Sequence, residues 1–172
     1  VSKGELVGLI GANGSGKSTT MKCILHMLAD VKGTILFKDE SKKYAYIPES
    51  PSYYDELTLW EHLQFAATVS ELEEGKWQKR AHQLVRDFRM EHVIHHFPSS
   101  FSKGMQQKLM IIVALLMEPL VYIVDEPFIG LDPKAIRQFL TYIHKEKERR
   151  AGILMSTHVL DTAEKYCDRL LL

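Results

Sequence analysis

The sequence has little of what would commit it to a membrane, an oxidising compartment or a charged polymer. Its longest apolar run, residues 109–117, stops at Glu118-Pro119 and is about half the length needed to cross a bilayer, so a membrane span is not expected. Cysteine is scarce: Cys23 and Cys167 stand far apart without metal-type spacing, which excludes a disulfide framework and points to inert thiols in a reduced compartment. Neither sign of charge dominates, with Lys+Arg and Asp+Glu at 22 each. No global field therefore draws the molecule to nucleic acid or to an anionic membrane surface, and an anionic ligand has to be held by local geometry. There is no internal repeat and no low-complexity tract. The chain also lacks an initiator methionine and a signal-peptide pattern. Residues 170–172 read as the start of a buried strand, so a domain truncated at both ends is expected, with exposed sheet edges and poor solubility as the consequence.

What is present suits a globular domain: 172 residues, 45% hydrophobic and 26% charged, enough for one real core. Three short apolar segments run straight into polar chemistry, the arrangement expected where parallel strands present ligands at their carboxyl ends. Leu6-Val7-Gly8-Leu9-Ile10 leads into a glycine-rich loop, Leu120-Val121-Tyr122-Ile123-Val124 into Asp125-Glu126, and Ile153-Leu154-Met155 through Ser156-Thr157 into His158. Helical patterns between them predict an α/β fold, a mostly parallel sheet flanked by helices, and the glycine-rich loop after the first strand makes the expected type that of the P-loop nucleotidases.

Residues 57–98 break this alternation and predict an inserted helical subdomain that continues to about residue 118. Thr58 with Glu61 forms a capping box, and Trp77, Ala81, Leu84 and Phe88 fall on one helix face. Later, Asp132-Pro133 pairs an N-cap residue with a proline at the first helical position, followed by Ile136, Phe139, Leu140 and Ile143 as the expected buried stripe.

The most specific local signal is Gly11-Ala12-Asn13-Gly14-Ser15-Gly16-Lys17-Ser18, a G-x-x-x-x-G-K-[ST] match lying between a strand and a helix. Glycine lets successive backbone N–H groups turn inward around phosphate oxygens, and the helix after the loop adds its positive end. Lys17 is the charge expected to reach the terminal phosphates, and Ser18 offers a hydroxyl to Mg²⁺. Asp125 is expected to hold that ion, directly or from one layer behind, and Glu126 to be the base or orienter of the attacking water.

Taken in order, these motifs resemble the ATP-binding cassette (ABC) family over nearly the whole chain. Residues 11–19, with Thr19 included, look like Walker A, and residues 121–126 like Walker B. Gly130-Leu131-Asp132 is similar to the D-loop, and His158 stands at the place of the switch histidine, although a lone histidine also suits a capped core position. Glu49, in Tyr46-Ile47-Pro48-Glu49, occupies the place of the Q-loop glutamine. Phe101-Ser102-Lys103-Gly104-Met105 stands where the family has its signature, usually Leu-Ser-Gly-Gly-Gln. Glu49, the signature Ser102-Lys103-Gly104-Met105 and the D-loop Phe128-Ile129-Gly130-Leu131-Asp132 together look most like the Ecs-type bacterial transporter ATPases.

The resemblance implies ATP and Mg²⁺ as ligands and hydrolysis by Glu126 with His158. It implies nucleotide contacts from Gly11, Ala12, Asn13, Gly14, Ser15, Gly16, Lys17, Ser18 and Thr19. Ser102, Gly104 and Asp132 would act across a dimer, and Ser18, Glu49 and Asp125 would hold the metal. It further implies a second ABC ATPase subunit and a polytopic membrane permease as partners, no nucleic acid, and a cytoplasmic position on the inner face of the cell membrane. Ser102 as a plain N-cap is compatible with phosphate binding. Lys103 is expected in solvent and Met105 in the core. Tyr53-Tyr54-Asp55-Glu56 lies where a permease helix would dock. The alternatives are a soluble ABC ATPase acting on ribosomes or DNA, and a cassette that binds ATP but hydrolyses it weakly. His92, His95 and His96 read as a polar helix end rather than a metal site, and residues 145–150 as the solvated end of a helix. The link from Asp39 to Tyr44 is short for the family, so an edge β-region is expected to be trimmed.

Overall fold

The computed structural model describes residues 1–29, 31–36 and 44–172, with the backbone alone for residues 161 and 162. The expected trimming between Asp39 and Tyr44 falls on residues 39–43, outside those described. Among the described residues five parallel strands, β1 (Leu6–Ile10), β2 (Tyr44–Ile47), β3 (Val121–Val124), β4 (Gly152–Thr157) and β5 (Arg169–Leu171), lie in the order β2-β3-β4-β1-β5. A parallel sheet needs a crossover between neighbouring strands, and helices supply it. They are α1 (Lys17–Ile24), α2 (Leu59–Val69), α3 (Glu74–Asp87), α4 (Lys103–Leu116), α5 (Pro133–Glu148) and α6 (Leu160–Tyr166).

Alternation along the strands divides the interior in two. Val7, Ile123 and Leu154 meet Met21 and Leu25 beside α1. Leu6, Tyr122, Val124, Ile153 and Met155 face the larger cluster built with α2, α3, α4 and α5. The expected face of α3 is there, with Trp77, Ala81, Leu84 and Phe88 all buried. At the start of α2, Glu61 N–H donates to Thr58 Oγ1 (3.3 Å) and Thr58 N–H to Glu61 Oε2 (2.7 Å), closing the capping box. Between β2 and β3 the described chain forms α2, α3 and α4 and no strand.

Three expectations need correction. Residues 169–171 do form a strand, but as β5 at the sheet's edge they are exposed rather than buried, because among the described residues only β1 pairs with them. In the α5 stripe Ile136 is half-buried and Ala135 and Tyr142 join Phe139, Leu140 and Ile143 inside. The charged run at 145–150 is not wholly solvated either. Glu146 is 3% exposed and receives Arg80 Nη2 at 3.0 Å and Arg149 Nε at 2.7 Å. Arg80 also donates to the Leu115 carbonyl (2.9 Å), so one buried carboxylate fastens α3 and the end of α4 to α5.

Candidate functional site

The central strands β3, β4 and β1 end side by side, Val124 level with Met155 and Ile10 with Thr157. The segments leaving these strands therefore converge at one edge of the sheet: the loop 11–16 from β1, Asp125-Glu126 from β3 and His158 from β4. The loop turns through Gly14 and Gly16, whose φ angles of 82° and 96° belong to the left-handed region that a side chain disfavours. A Cβ on Gly11 would collide with Ser15 Oγ. Gly16 is the N-cap of α1 and no side chain caps that helix, so its first N–H groups are left to an anionic ligand.

Lys17 is buried and folds back along the loop, donating to the Gly11 carbonyl at 2.7 Å and the Ala12 carbonyl at 3.1 Å. Its Nζ lies 3.6 Å from Glu126 Oε1. Glu126 Oε2 is 2.9 Å from His158 Nδ1, and since a carboxylate can only accept, that nitrogen carries the proton. Glu126 is 5% exposed and holds φ at 44°, an uncommon conformation for a residue with a Cβ. Asp125 is buried, its N–H donating to the Ile47 carbonyl at 2.8 Å. The Tyr46 hydroxyl is pushed up to about 12 by burial, then by the charge of Asp125 and a hydrogen bond to it, with Glu49 adding a smaller effect. Asp125 and Glu49 thus share one neighbourhood. Ser18 is half-buried at the start of α1, and Ala12, Asn13, Gly14, Ser15 and Thr19 are exposed.

Ser102, Gly104 and Asp132 form a second group. Ser102 caps α4, accepting from the Met105 N–H at 3.3 Å. Gly104 packs so closely on the Gly130 carbonyl that a Cβ would overlap it. Asp132 caps α5 by accepting from the Lys134 and Ala135 N–H groups at 3.0 and 2.9 Å, and takes Lys108 Nζ at 2.8 Å. The Lys108 hydrogen bond, helped by the Ala135 N–H, draws its carboxyl down to about 2. Among the described hydrogen bonds and ion pairs, none ties this group to residues 11–18. Lys103 is exposed and Met105 packs on the core. His92, His95 and His96 are not buried, and no three metal-ligating side chains cluster among the described residues.

Sequence reasoning missed Ser156, which bridges Asp125 and Glu126, and Lys108, which holds Asp132. Both pairings cross between separate segments, and no local spacing signals them.

A parallel sheet whose central strands deliver a lysine-bearing glycine loop and an Asp-Glu pair to one edge defines a P-loop nucleoside triphosphatase. The ABC transporter family profile matches residues 1–129. The chain is 59% identical over 169 residues to the ABC transporter ATP-binding protein YthP of Bacillus subtilis, covering 98% of this chain and 71% of that protein. It is 46% identical over 177 residues to the ABC-type transporter ATP-binding protein EcsA of the same organism, covering 98% and 72%. Among solved structures, an ATP-binding subunit of an ABC transporter superposes with a TM-score of 0.93 at 48% identity, over 99% of this chain and 76% of that one. The chain belongs to the ABC transporter family, as an ATP-binding, ATP-hydrolysing subunit of the Ecs-like kind.

Proposed function

We propose that the ATP phosphates lie against the backbone of residues 11–19, with Lys17 and the start of α1 countering their charge. The observation that carries this reading is the convergence of Lys17 and His158, from the ends of different strands, within 3.6 and 2.9 Å of the Glu126 carboxylate. An arriving phosphate takes Lys17 Nζ from the Gly11 and Ala12 carbonyls, and Glu126 is released from its lysine to accept a proton from the attacking water. His158 holds the other Glu126 oxygen and orients it.

Mg²⁺ fits the donors at hand, a hydroxyl and carboxylates, because that ion prefers oxygen and takes only one or two carboxylates beside the phosphates. Ser18 and Asp125 would hold it, with Glu49 nearby, and bound there it would neutralise charge on the phosphates. Glu49 adds negative charge where a glutamine would add none, so this site depends more strongly on the metal.

Ser102, Gly104 and Asp132 act in trans in this reading. The Ser102 hydroxyl and the N-terminus of α4 meet the terminal phosphate held by a second subunit, and Asp132 fixes the shape of the loop that accompanies them. The helices between β2 and β3 serve as the helical subdomain. Beside them, Tyr53, Tyr54, Phe65, Val69, Met110 and Met117 line an apolar groove of about 350 Å³. A cytoplasmic helix of a polytopic permease docks there, so the subunit sits on the inner face of the cell membrane. No described helix is long and apolar enough to cross that membrane itself. The groove favours a transport partner over ribosomes or DNA.

Replacing Glu126 by Gln tests the catalytic part. Hydrolysis should fall by about 10²–10⁴-fold, the usual contribution of a general base, with ATP binding retained. Unchanged turnover would refute the role.

A further inference from the structure

The two carboxylates after β3 are joined by one side chain from the next strand. Ser156 lies near the end of β4, between β3 and β1, and is fully buried. Its hydroxyl donates to Asp125 Oδ1 at 2.5 Å and accepts from the Glu126 N–H at 2.9 Å. A serine hydroxyl has one proton to give and lone pairs to accept with, so the direction of both bonds is fixed. The amide can only donate, and the carboxylate can only accept.

We propose that Ser156 is a positioning residue for hydrolysis, holding Glu126 in its left-handed backbone conformation and thereby aiming its carboxylate between Lys17 and His158. The inference rests on the reading of Glu126 as the base. The backbone of Glu126, at φ 44°, persists only where its surroundings over-determine it, and the bond from its N–H to Ser156 supplies that restraint in a buried place. Asp125 is held more redundantly. Its own N–H is anchored independently on the Ile47 carbonyl at 2.8 Å. Losing the serine hydroxyl therefore disturbs Glu126 far more than Asp125. The bridge also ties the register of β4, and with it His158, to the position of the Asp-Glu pair.

The test compares wild type, S156A, S156T and E126Q of the full subunit, measuring kcat, KM, equilibrium affinity for Mg-ATP, and thermal unfolding. S156A should lower kcat by about 10–100-fold, the cost typical of removing a partner that orients a site residue, while KM and nucleotide affinity stay near wild type and the melting temperature falls by roughly 2–12 °C because two buried groups lose their partner, leaving the protein folded at the assay temperature. S156T, which restores a hydroxyl, should recover most of kcat. The proposal is overturned by unchanged kcat in S156A, by a loss of nucleotide affinity that matches the loss of kcat, or by a folded S156T as slow as S156A. Should S156T fail to fold, the split between kcat and affinity in S156A decides alone. E126Q separates the two levels. Fast turnover in E126Q overturns the reading of Glu126 as base, whereas slow E126Q beside normal S156A overturns only the role of Ser156.

Discussion

Glu126 is a buried carboxylate at an unusual φ, with His158 Nδ1 2.9 Å from one oxygen and Lys17 Nζ, at the start of α1, 3.6 Å from the other, which has no hydrogen-bond partner among the described residues. Each partner has a distinct use once nucleotide binds. K17A should lose most ATP affinity, since the loop keeps its N–H groups but loses the cation that folds back along it, and an equilibrium binding titration would show this. Asp132 gives a prediction about pH. Its folded-state pKa of about 2 lies below the usual 3.8, chiefly because Lys108 hydrogen-bonds to its charged form. A depressed carboxyl contributes stability that is complete above the unfolded value and is lost as pH falls through the folded one. Wild type should therefore be more stable than D132N at neutral pH, and the gap should close between about pH 4 and pH 2. Chemical denaturation across that range measures it, and a gap independent of pH would contradict the assignment. The site was legible in sequence wherever its chemistry was local. Residues 11–18 carry their glycines, lysine and serine on one turn, whereas Ser156 and Asp125 meet only because β3 and β4 are neighbours, 31 residues apart in the chain.

At the scale of elements, α4 joins the two groups of residues. Its first turn carries Ser102 and Gly104, its middle sends Gln107 Nε2 to the Pro48 carbonyl at 3.3 Å beside Glu49, and its end is fastened by Arg80. The close approach of Gly104 to Gly130 leaves no room for a methyl group. G104A should force the start of α4 from the loop before α5, costing about 1–3 kcal/mol and slowing hydrolysis; denaturant titration and turnover measurements read the two effects. Glu146 is the harder fastening to read from sequence. Alternating charge around it suggested solvent, but Arg80 arrives from 66 residues upstream and buries it. Removing this buried carboxylate takes the shared acceptor from the partly exposed Arg80 and Arg149 and empties its place in the packing, so E146A should destabilise the protein by about 3 kcal/mol. For a domain of this size that is a fall of roughly 6–12 °C in Tm, measurable by calorimetry, and an unshifted transition would show that the network holds nothing together. The strands β1, β3 and β4 and the helices α2, α3 and α5 were legible because their patterns and caps are local, whereas β2, four residues long, was not anticipated. The exposure of β5 was not, because a strand's place in the sheet is set by pairing rather than by its own composition.

The whole molecule presents its phosphate loop at the carboxyl edge of the sheet and holds Ser102 and Gly104 in a separate group, with no described bond between the two. A single copy that keeps these groups apart is understandable if each site is completed by another copy. The groove lined by Tyr53 and Tyr54 meets the same helix, since Gln106 Nε2 donates to the Tyr53 hydroxyl at 2.9 Å, so a partner seated there would bear directly on α4. The most direct measurement of this account is sedimentation of the E126Q subunit with and without Mg-ATP, scoring bound nucleotide and mass together. The account predicts a monomer alone and a dimer retaining ATP when the nucleotide is added, with S102A weakening the dimer but not the binding of ATP by the monomer. A species that neither keeps ATP nor changes mass would contradict it.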